Sequence, residues 1–298
     1  MYFGFLNIYK PIGLTSHDVV ARLRKLTGVK QIGHTGTLDP FAQGVLPVCI
    51  GKATRLIEFL ADDKEYLATV QFGASTTTYD KDGEFVSQSD KKVCKSDVEN
   101  ALENFRGEIS QLPPMYSAIK VKGKKLYEYA RKGETVEVAP RKVTIEHIEL
   151  KNFDEELQQA EILIKCSKGT YIRSIAHDMG ELLGCGAYLI KLIRTQAGKF
   201  RVENSVELDK VDVVKNLINP LEMMDLPVIK VLDSSLEKVK NGMPLYKNDF
   251  EISENCKDLW NSKKIIESEY VILIYNQDEI CAIGMKENDK IKLKKVFL

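Results

Sequence analysis

Asp39, at the end of the loop Gly33-His-Thr-Gly-Thr-Leu-Asp-Pro40, is the side chain in this sequence best placed to do chemistry. Two glycines let the main chain come close to a partner, and Pro40 turns Asp39 away from helical ψ, so the loop aims one carboxylate from a rigid setting. On their own these residues favour an ordinary Asp-Pro turn. A second stretch shifts that balance. Ser167-Lys-Gly-Thr-Tyr-Ile-Arg173 ends a strand and opens a helix with Thr170 as the expected N-cap, which puts Arg173 in the first turn. A cation there opposes the helix dipole. The arrangement suggests that Arg173 and the free N–H groups face an anion, either a phosphate or a carboxylate such as Asp39; solvent or Glu181 are the plainer partners.

Other patterns fail. Gly51-Lys52-Ala53 has neither the upstream glycine nor the Ser/Thr of a phosphate-binding P-loop. Ser117-Ala-Ile-Lys120 spells the Ser-x-x-Lys of penicillin-binding enzymes without its companion motifs. Ser16, His17 and Asp18 are neighbours at a helix start whose side chains diverge, so they form no triad. The cysteines (Cys49, Cys94, Cys166, Cys185, Cys256, Cys281) contain no Cys-x-x-Cys pair and the histidines no His-x-x-x-His spacing. Reduced thiols are expected, with no metal site.

The elements that must hold these residues read as a mixture of strands and helices without regular βαβ alternation, which argues for an α+β fold. Phe3 to Tyr9 reads as a strand, and Ser16 as the N-cap of an amphipathic helix closed by Gly28. A strand is expected over Val45 to Ile50, a short helix over Thr54 to Leu60, and a half-buried strand over Tyr66 to Phe72, where apolar residues alternate. Asp80 to Gly83 reads as a turn, and Ser96 to Glu99 as a capping box opening a helix to Phe105. After Pro113-Pro114 come a hairpin around Lys122-Gly123 and strands over Lys142 to Leu150 and Ala160 to Cys166. A helix over Tyr171 to Leu183 follows, with Ile172, Ile175, Ala176, Met179, Leu182 and Leu183 on one face. Pro220 and Pro227 bracket a linker, then a helix runs to Asn241-Gly242, and strands are expected over Tyr270 to Tyr275, Ile280 to Met285 and Ile291 to Phe297.

The chain has 298 residues, enough for about two domains, and its 43 Lys and Arg cancel 43 Asp and Glu. The charge is nevertheless segregated. Residues 1–56 carry seven bases against two acids, 115–145 eight against three, and 165–201 seven against two. If the three meet in the fold they make a basic surface able to hold a nucleic-acid backbone. No apolar run reaches the ~18 residues of a membrane span, so a cytoplasmic protein with no membrane association is expected.

Lys10-Pro-Ile-Gly-Leu-Thr-Ser16, the Gly33 to Pro47 stretch with Gly51-Lys-Ala-Thr54, Met115-Tyr-Ser-Ala118 with Gly123-Lys-Lys-Leu-Tyr-Glu-Tyr-Ala130, and Ser167 to Arg173 closely resemble the tRNA pseudouridine synthases of the TruB type. The match runs in order from about residue 3 to 201. The resemblance implies a pseudouridine synthase fold with a mixed, largely antiparallel central sheet flanked by helices. It implies a catalytic domain over 1–225, with an RNA-contacting insert near 120–145, and a small β-rich, PUA-like RNA-binding domain over 226–298. It implies isomerisation of uridine 55 in the T loop of tRNA, with Asp39 as nucleophile on a flipped-out uridine and no cofactor, because nothing is oxidised or hydrolysed. By the same carry-over Arg173 pairs with Asp39, and Tyr66 stacks on the base or takes a proton. Tyr171 and Leu192 line the pocket, Lys10 supports the loop, and His34 fills the space the nucleotide leaves. Lys124, Lys125 and Arg141 meet the T arm. The chain is expected to act as a monomer with no obligate protein partner. A noncatalytic RNA-binding scaffold of the same fold, or a guide-RNA-dependent synthase, is the alternative. Thr77 stands where many relatives carry Asp, and no role is carried onto it. No second acid accompanies Asp39 in the matched motifs.

Overall fold

The computed structural model describes residues 2–134, 136–251, 269–276 and 278–298. Cys256 lies outside them. The chain forms two compact units, Met1–Ile57 with Ala61–Pro220, and Glu58–Leu60 with Leu221–Leu298.

The first unit is built on one mixed sheet. Its strands, in chain order with the two small hairpins beside it, are β1 (Gly4–Lys10), β2 (Ile32–His34), β3 (Gln43–Ile50), β4 (Lys64–Phe72), β5 (Ala74–Thr76), β6 (Phe85–Gln88), β7 (Gly107–Gln111), β8 (Lys120–Val121), β9 (Lys124–Lys125), β10 (Arg141–Asp154), β11 (Gln159–Cys166), β12 (Ala187–Ala197), β13 (Phe200–Arg201) and β14 (Val206–Glu207). The sheet order is β14-β1-β3-β12-β4-β11-β10-β7, with β2 on β3 and β13 on β12. Only β1 with β14 and β3 with β12 run parallel, so the sheet is largely antiparallel, as the sequence implied.

The apolar faces of helices α1 (Ser16–Thr27), α2 (Lys95–Leu102) and α4 (Ile172–Leu183) join the inward residues of these strands in one core; α3 (Leu126–Ala130) follows the β8-β9 hairpin. In α4, Ile172, Ile175, Ala176 and Met179 are buried while Leu182 is exposed. At about 100° per residue Leu182 falls at the edge of the stripe centred on Ala176 and Met179. Gly180 lets α4 press on the start of β12: a Cβ there would sit 2.0 Å from the Ala187 nitrogen.

Several local expectations shift. The N-cap of α1 is Thr15, whose hydroxyl accepts from the Asp18 N–H while Asp18 accepts from the Thr15 N–H. Cys94, not Ser96, caps α2, with Asp97 closing the box. Tyr171, not Thr170, caps α4; the Thr170 hydroxyl instead donates to the Ser167 carbonyl. The short helix expected over Thr54 to Leu60 is a 3-10 helix, Gly51–Phe59. No described helix is long and apolar enough to cross a membrane.

Among its described residues the second unit carries a six-stranded sheet in the order Leu245–Tyr246, Lys290–Val296, Glu279–Glu287, Tyr270–Tyr275, Val228–Val231, Phe250–Glu251. Its core includes Ile229, Val231, Val239, Leu245, Val271, Leu273 and Ile291. The three strands expected there are present, and Val228–Val231 joins them by pairing parallel to Tyr270–Tyr275.

Candidate active site

The loop between β2 and β3 is tied down on every side of Asp39. Ser16, freed from capping, is buried and exchanges two hydrogen bonds with Leu38: its Oγ accepts from the Leu38 N–H at 2.8 Å and donates to the carbonyl at 3.2 Å. On the other side of Asp39, the Lys10 ammonium donates to the carbonyls of Leu14 (2.6 Å), Pro11 (2.9 Å) and Pro40 (3.4 Å), and the Gly13 N–H also donates to Pro40. Further along, fully buried Arg194 on β12 donates from Nε to the Val45 carbonyl at 2.6 Å and from Nη2 to the Gly36 carbonyl at 3.1 Å. The glycine that close approach requires is Gly44, outside the Gly33 to Pro40 stretch. It has φ +105°, and a Cβ would lie 2.3 Å from the Arg194 carbonyl oxygen, whereas Gly33 and Gly36 leave ordinary contact distances.

Arg173, in the first turn of α4, reaches the loop: its Nε lies 3.0 Å from Asp39 Oδ2. The rest of the guanidinium is spoken for. Nη1 donates to the Thr78 carbonyl (3.0 Å) and to Asp80 Oδ2 (3.2 Å), and Nη2 to the Tyr116 carbonyl (2.9 Å). Two carboxylates thus face the cation that opposes the helix dipole, which answers the local conflict in the sequence. The backbone of the capping residue is held as well. Buried Gln111 accepts from the Tyr171 N–H at 2.8 Å and donates to its carbonyl at 2.9 Å.

These elements enclose a cleft of about 490 Å³ lined, among others, by Asp39, Tyr66, Tyr171, Arg173, Leu192 and Arg194. Its lining draws on all three basic segments: Thr35–Asp39, Tyr116–Ala118 with Tyr127, and Ser167–Arg173 with Leu192 and Arg194. Part of their charge is neutralised, since Lys142 pairs with Glu108, Lys165 with Glu146, and Lys168 with Asp62. Burial pushes the Tyr66 hydroxyl above its usual range despite a hydrogen bond with Arg194. Burial lowers Lys10 to about 8 against the pull of Asp39, and lowers Lys64, which also lines the cleft, to about 8. His34 ends β2, and burial followed by the Arg194 charge keeps its imidazole below the usual range. Lys124 and Lys125 sit on β9, over the rings of Tyr129 and Tyr127, and Tyr127 lines the cleft. Arg141 is exposed at the start of β10, paired in register with Gln111.

Sequence models of two domains match: the TruB family pseudouridylate synthase N-terminal domain over residues 24–172, and the tRNA pseudouridylate synthase B C-terminal domain over 173–225. The chain is 44% identical, over an alignment 317 positions long, to the tRNA pseudouridine synthase B of Staphylococcus aureus (strain JH9), with all of both chains covered. The chain belongs to the TruB family. It is 42% identical to the tRNA pseudouridine synthase B of Clostridium novyi (strain NT), with 99% of each chain covered. Among solved structures, a chain of a Cbf5-Nop10-Gar1 complex superposes with TM-score 0.70 at 26% identity, covering 99% of this chain and 85% of that one. A chain of an H/ACA RNP bound to a substrate RNA containing 2′-deoxyuridine superposes with TM-score 0.69 at 25% identity.

Within this TruB fold the sequence reading missed an acid. Asp80, outside the matched motifs, shares Arg173 with Asp39, so a second carboxylate accompanies it in the fold. Asp80 was visible only as a turn former, and it does shape its turn by accepting from the Thr78 hydroxyl and the Asp82 N–H. Its side chain is 6% exposed and does not line the cleft, so it anchors the cation rather than meeting a ligand. Burial raises its carboxyl above the usual range, outweighing Thr78 and Arg173. Thr77 is exposed, and its hydroxyl accepts from the Glu84 N–H across the same turn. Arg194, Lys64 and Ser16 were missed too. Arg194 lies on β12, which the sequence reading did not find; Lys64 begins β4 just ahead of the strand expected from Tyr66 and pairs with β12, and Ser16 was read only as a helix cap.

Proposed function

We propose that this chain isomerises a uridine of tRNA to pseudouridine, at position 55 in the T loop, with Asp39 as the nucleophile. The observation that carries the reading is the Asp39 carboxylate, 37% exposed at a cleft wall and held at 3.0 Å by an arginine that is 5% exposed. The guanidinium keeps its charge in proteins, and its planar edge holds the Asp39 carboxylate aimed at the cleft.

The reaction breaks the N1–C1′ bond of uridine and joins C5 to C1′. The proton on C5 leaves to solvent and N1 gains one, so the product has the mass of the substrate. Asp39 attacks the sugar or the base, or assists glycal formation, and is released unchanged. Tyr66 stacks on the flipped base, and Tyr171 and Leu192 close the pocket around it. Stacking at about 1 to 3 kcal/mol per base helps offset a flipping cost of a few kcal/mol. His34 fills the vacated space, and Lys124, Lys125 and Arg141 meet backbone phosphates. Residues 226–298 act as a PUA-like RNA-binding domain. The enzyme works as a cytoplasmic monomer; the described thiols, Cys49, Cys94, Cys166, Cys185 and Cys281, are all unpaired, which supports a reducing compartment.

The test is release of tritium from 5-tritiated uridine in a bare T-arm stem-loop. Release by the chain alone supports the reading. Release only after a guide RNA or protein partners are added replaces it with the guide-dependent one, and no release in either case leaves a noncatalytic binding protein.

A further inference from the structure

Among the cleft-lining residues, the Ser117 hydroxyl is the one buried polar atom without a hydrogen-bond partner. The side chain is 5% exposed and its Oγ is buried without a hydrogen-bond partner. Buried hydroxyls are nearly always paired, so an orphan at a functional cleft needs a reason. Elsewhere in this chain hydroxyls settle on nearby carbonyls: Thr54 on Gly51, Thr27 on Leu23, Ser205 on Val202. The carbonyls around Ser117 already accept other donors, and its hydroxyl bonds to none of them. The Tyr116 carbonyl receives Arg173, the Ser117 carbonyl receives the Tyr127 N–H at 3.1 Å, and the Ile119 carbonyl receives the Leu126 N–H at 2.8 Å. The same bonds fix the backbone of Ser117 between the Arg173 cluster and the insert. Lys120, the partner a Ser-x-x-Lys reading would give it, is exposed.

We infer that Ser117 is a substrate-binding residue, whose hydroxyl is completed by a polar group of the nucleotide that enters the cleft. Ser117 lines the same cavity as Asp39, Tyr66 and Leu192, which puts its hydroxyl at the wall against which a flipped nucleotide is held. The inference rests on the reading that the cleft takes a flipped uridine. A neutral hydroxyl both donates and accepts, so it suits a base carbonyl, a ribose hydroxyl or a phosphate oxygen of that nucleotide.

The experiment compares wild type with Ser117→Ala. Removing a hydroxyl that has no partner in the free protein leaves the melting temperature equal or higher, because a desolvated donor is lost and no bond is broken. Affinity for a T-arm stem-loop should fall about threefold to tenfold, the loss of one hydrogen bond. Repeating the titration with an RNA abasic at the target position locates the contact. Loss of affinity for the intact RNA alone assigns it to the base, and loss for both assigns it to the sugar or phosphate. Unchanged affinity for both RNAs overturns the inference, as does a lower melting temperature, which would show the hydroxyl to be a structural partner. Wild-type turnover on the same stem-loop tests the functional reading separately, so either can fail alone.

Discussion

Asp39 and Asp80 occupy two edges of one guanidinium, at 3.0 Å from Nε and 3.2 Å from Nη1 of Arg173, yet one carboxylate is 37% exposed and the other 6%. That difference divides their work. Asp80, with Thr78 and Tyr116, fixes the plane of the cation from the protein side, and Asp39 is what the fixed cation presents to the cleft. A single positive charge holds two negative ones, leaving the centre one charge negative where an anionic RNA must dock. Lys10, Lys64 and Arg194, all buried within the same region, offset it.

Asp39→Asn should abolish pseudouridine formation and leave RNA binding nearly intact. The amide keeps the shape of the side chain, so the loop bonds of Ser16 and Lys10 survive, but it supplies no carboxylate nucleophile. Because Asp39 and Arg173 act as one unit, an Asp39→Asn, Arg173→Ala double variant should turn over no less than Asp39→Asn alone. Single-turnover conversion by Asp39→Asn near the wild-type rate would move the catalytic role elsewhere.

Asp80→Ala should read out chiefly as stability. It removes the buried partner of a buried arginine and two bonds that shape the Thr78 to Asp82 turn, a loss of about 3 kcal/mol. Asp39→Ala, at the exposed edge of the same cation, should cost no more than about 1 kcal/mol after screening by solvent. Urea unfolding of the two variants checks the contrast. Equal midpoints would mean that Asp80 is not the anchor.

Most of the scaffold of this site was legible in the sequence because its signals are local. The alternation in Tyr66 to Phe72 gave β4, and the closing Gly28 gave the end of α1. What escaped was β12, the strand between β3 and β4. Its register shifts at Leu189 to Lys191 and at Arg194 to Gln196, and each shift breaks the period of two that would reveal a strand. With β12 went Arg194, whose burial could not be foreseen. Asp80 escaped for a different reason: its partner lies 93 positions away, and a turn-forming Asp looks the same with or without a buried arginine behind it.

Lys10 sets a pH dependence whose sign follows from its burial. Its folded pKa is lowered from 10.5 to about 8, so between those values the unfolded chain binds the extra proton and stability rises with pH. Lys64 acts in the same direction, while Cys49 and Cys166, raised from 9.0 to about 12 and about 11, lose stability as pH climbs past 9. The difference in unfolding free energy between wild type and Lys10→Met isolates the lysine. It should be flat below pH 8 and rise from 8 to about 10.5. A falling or flat difference across that window would show that the three carbonyl bonds, rather than burial, control this ammonium.

Binding of the T arm should weaken with salt in proportion to the phosphates met. Lys124 and Lys125 lie on the β9 hairpin strand, without an acidic partner among the described ion pairs. Each contributes about 0.7 to 0.9 to the slope of log K against log salt if it meets a phosphate. Replacing both with Ala should therefore lower the slope by about 1.4 to 1.8. A slope identical to wild type would place the hairpin away from the RNA.

Gly44→Ala should break the site through the fold, whereas Gly36→Ala should disturb it only through the cleft. Gly44 faces Arg194 in the parallel pairing of β3 with β12, at φ +105°, and an added Cβ would sit 2.3 Å from the Arg194 carbonyl oxygen and 2.9 Å from its nitrogen. Backbone cannot yield as a side-chain tip can, so β12 must move away from β3 or the pairing must open. Either response pulls Arg194 from the Val45 and Gly36 carbonyls and from Tyr66. The positive φ adds strain to the clash, for a total of about 2 to 4 kcal/mol. At Gly36 the new Cβ would meet Arg194 Nη1 at 3.5 Å and Lys64 Cε at 3.7 Å, ordinary contacts. Gly36→Ala should thus melt within about a degree or two of wild type, since a contact that fits costs little. Because Gly36 lines the cleft, the methyl should instead raise KM for the T-arm substrate. Thermal melts and steady-state kinetics on the pair decide it, and a Gly44→Ala protein as stable as Gly36→Ala would mean that β3 and β12 are not held as closely as the register requires.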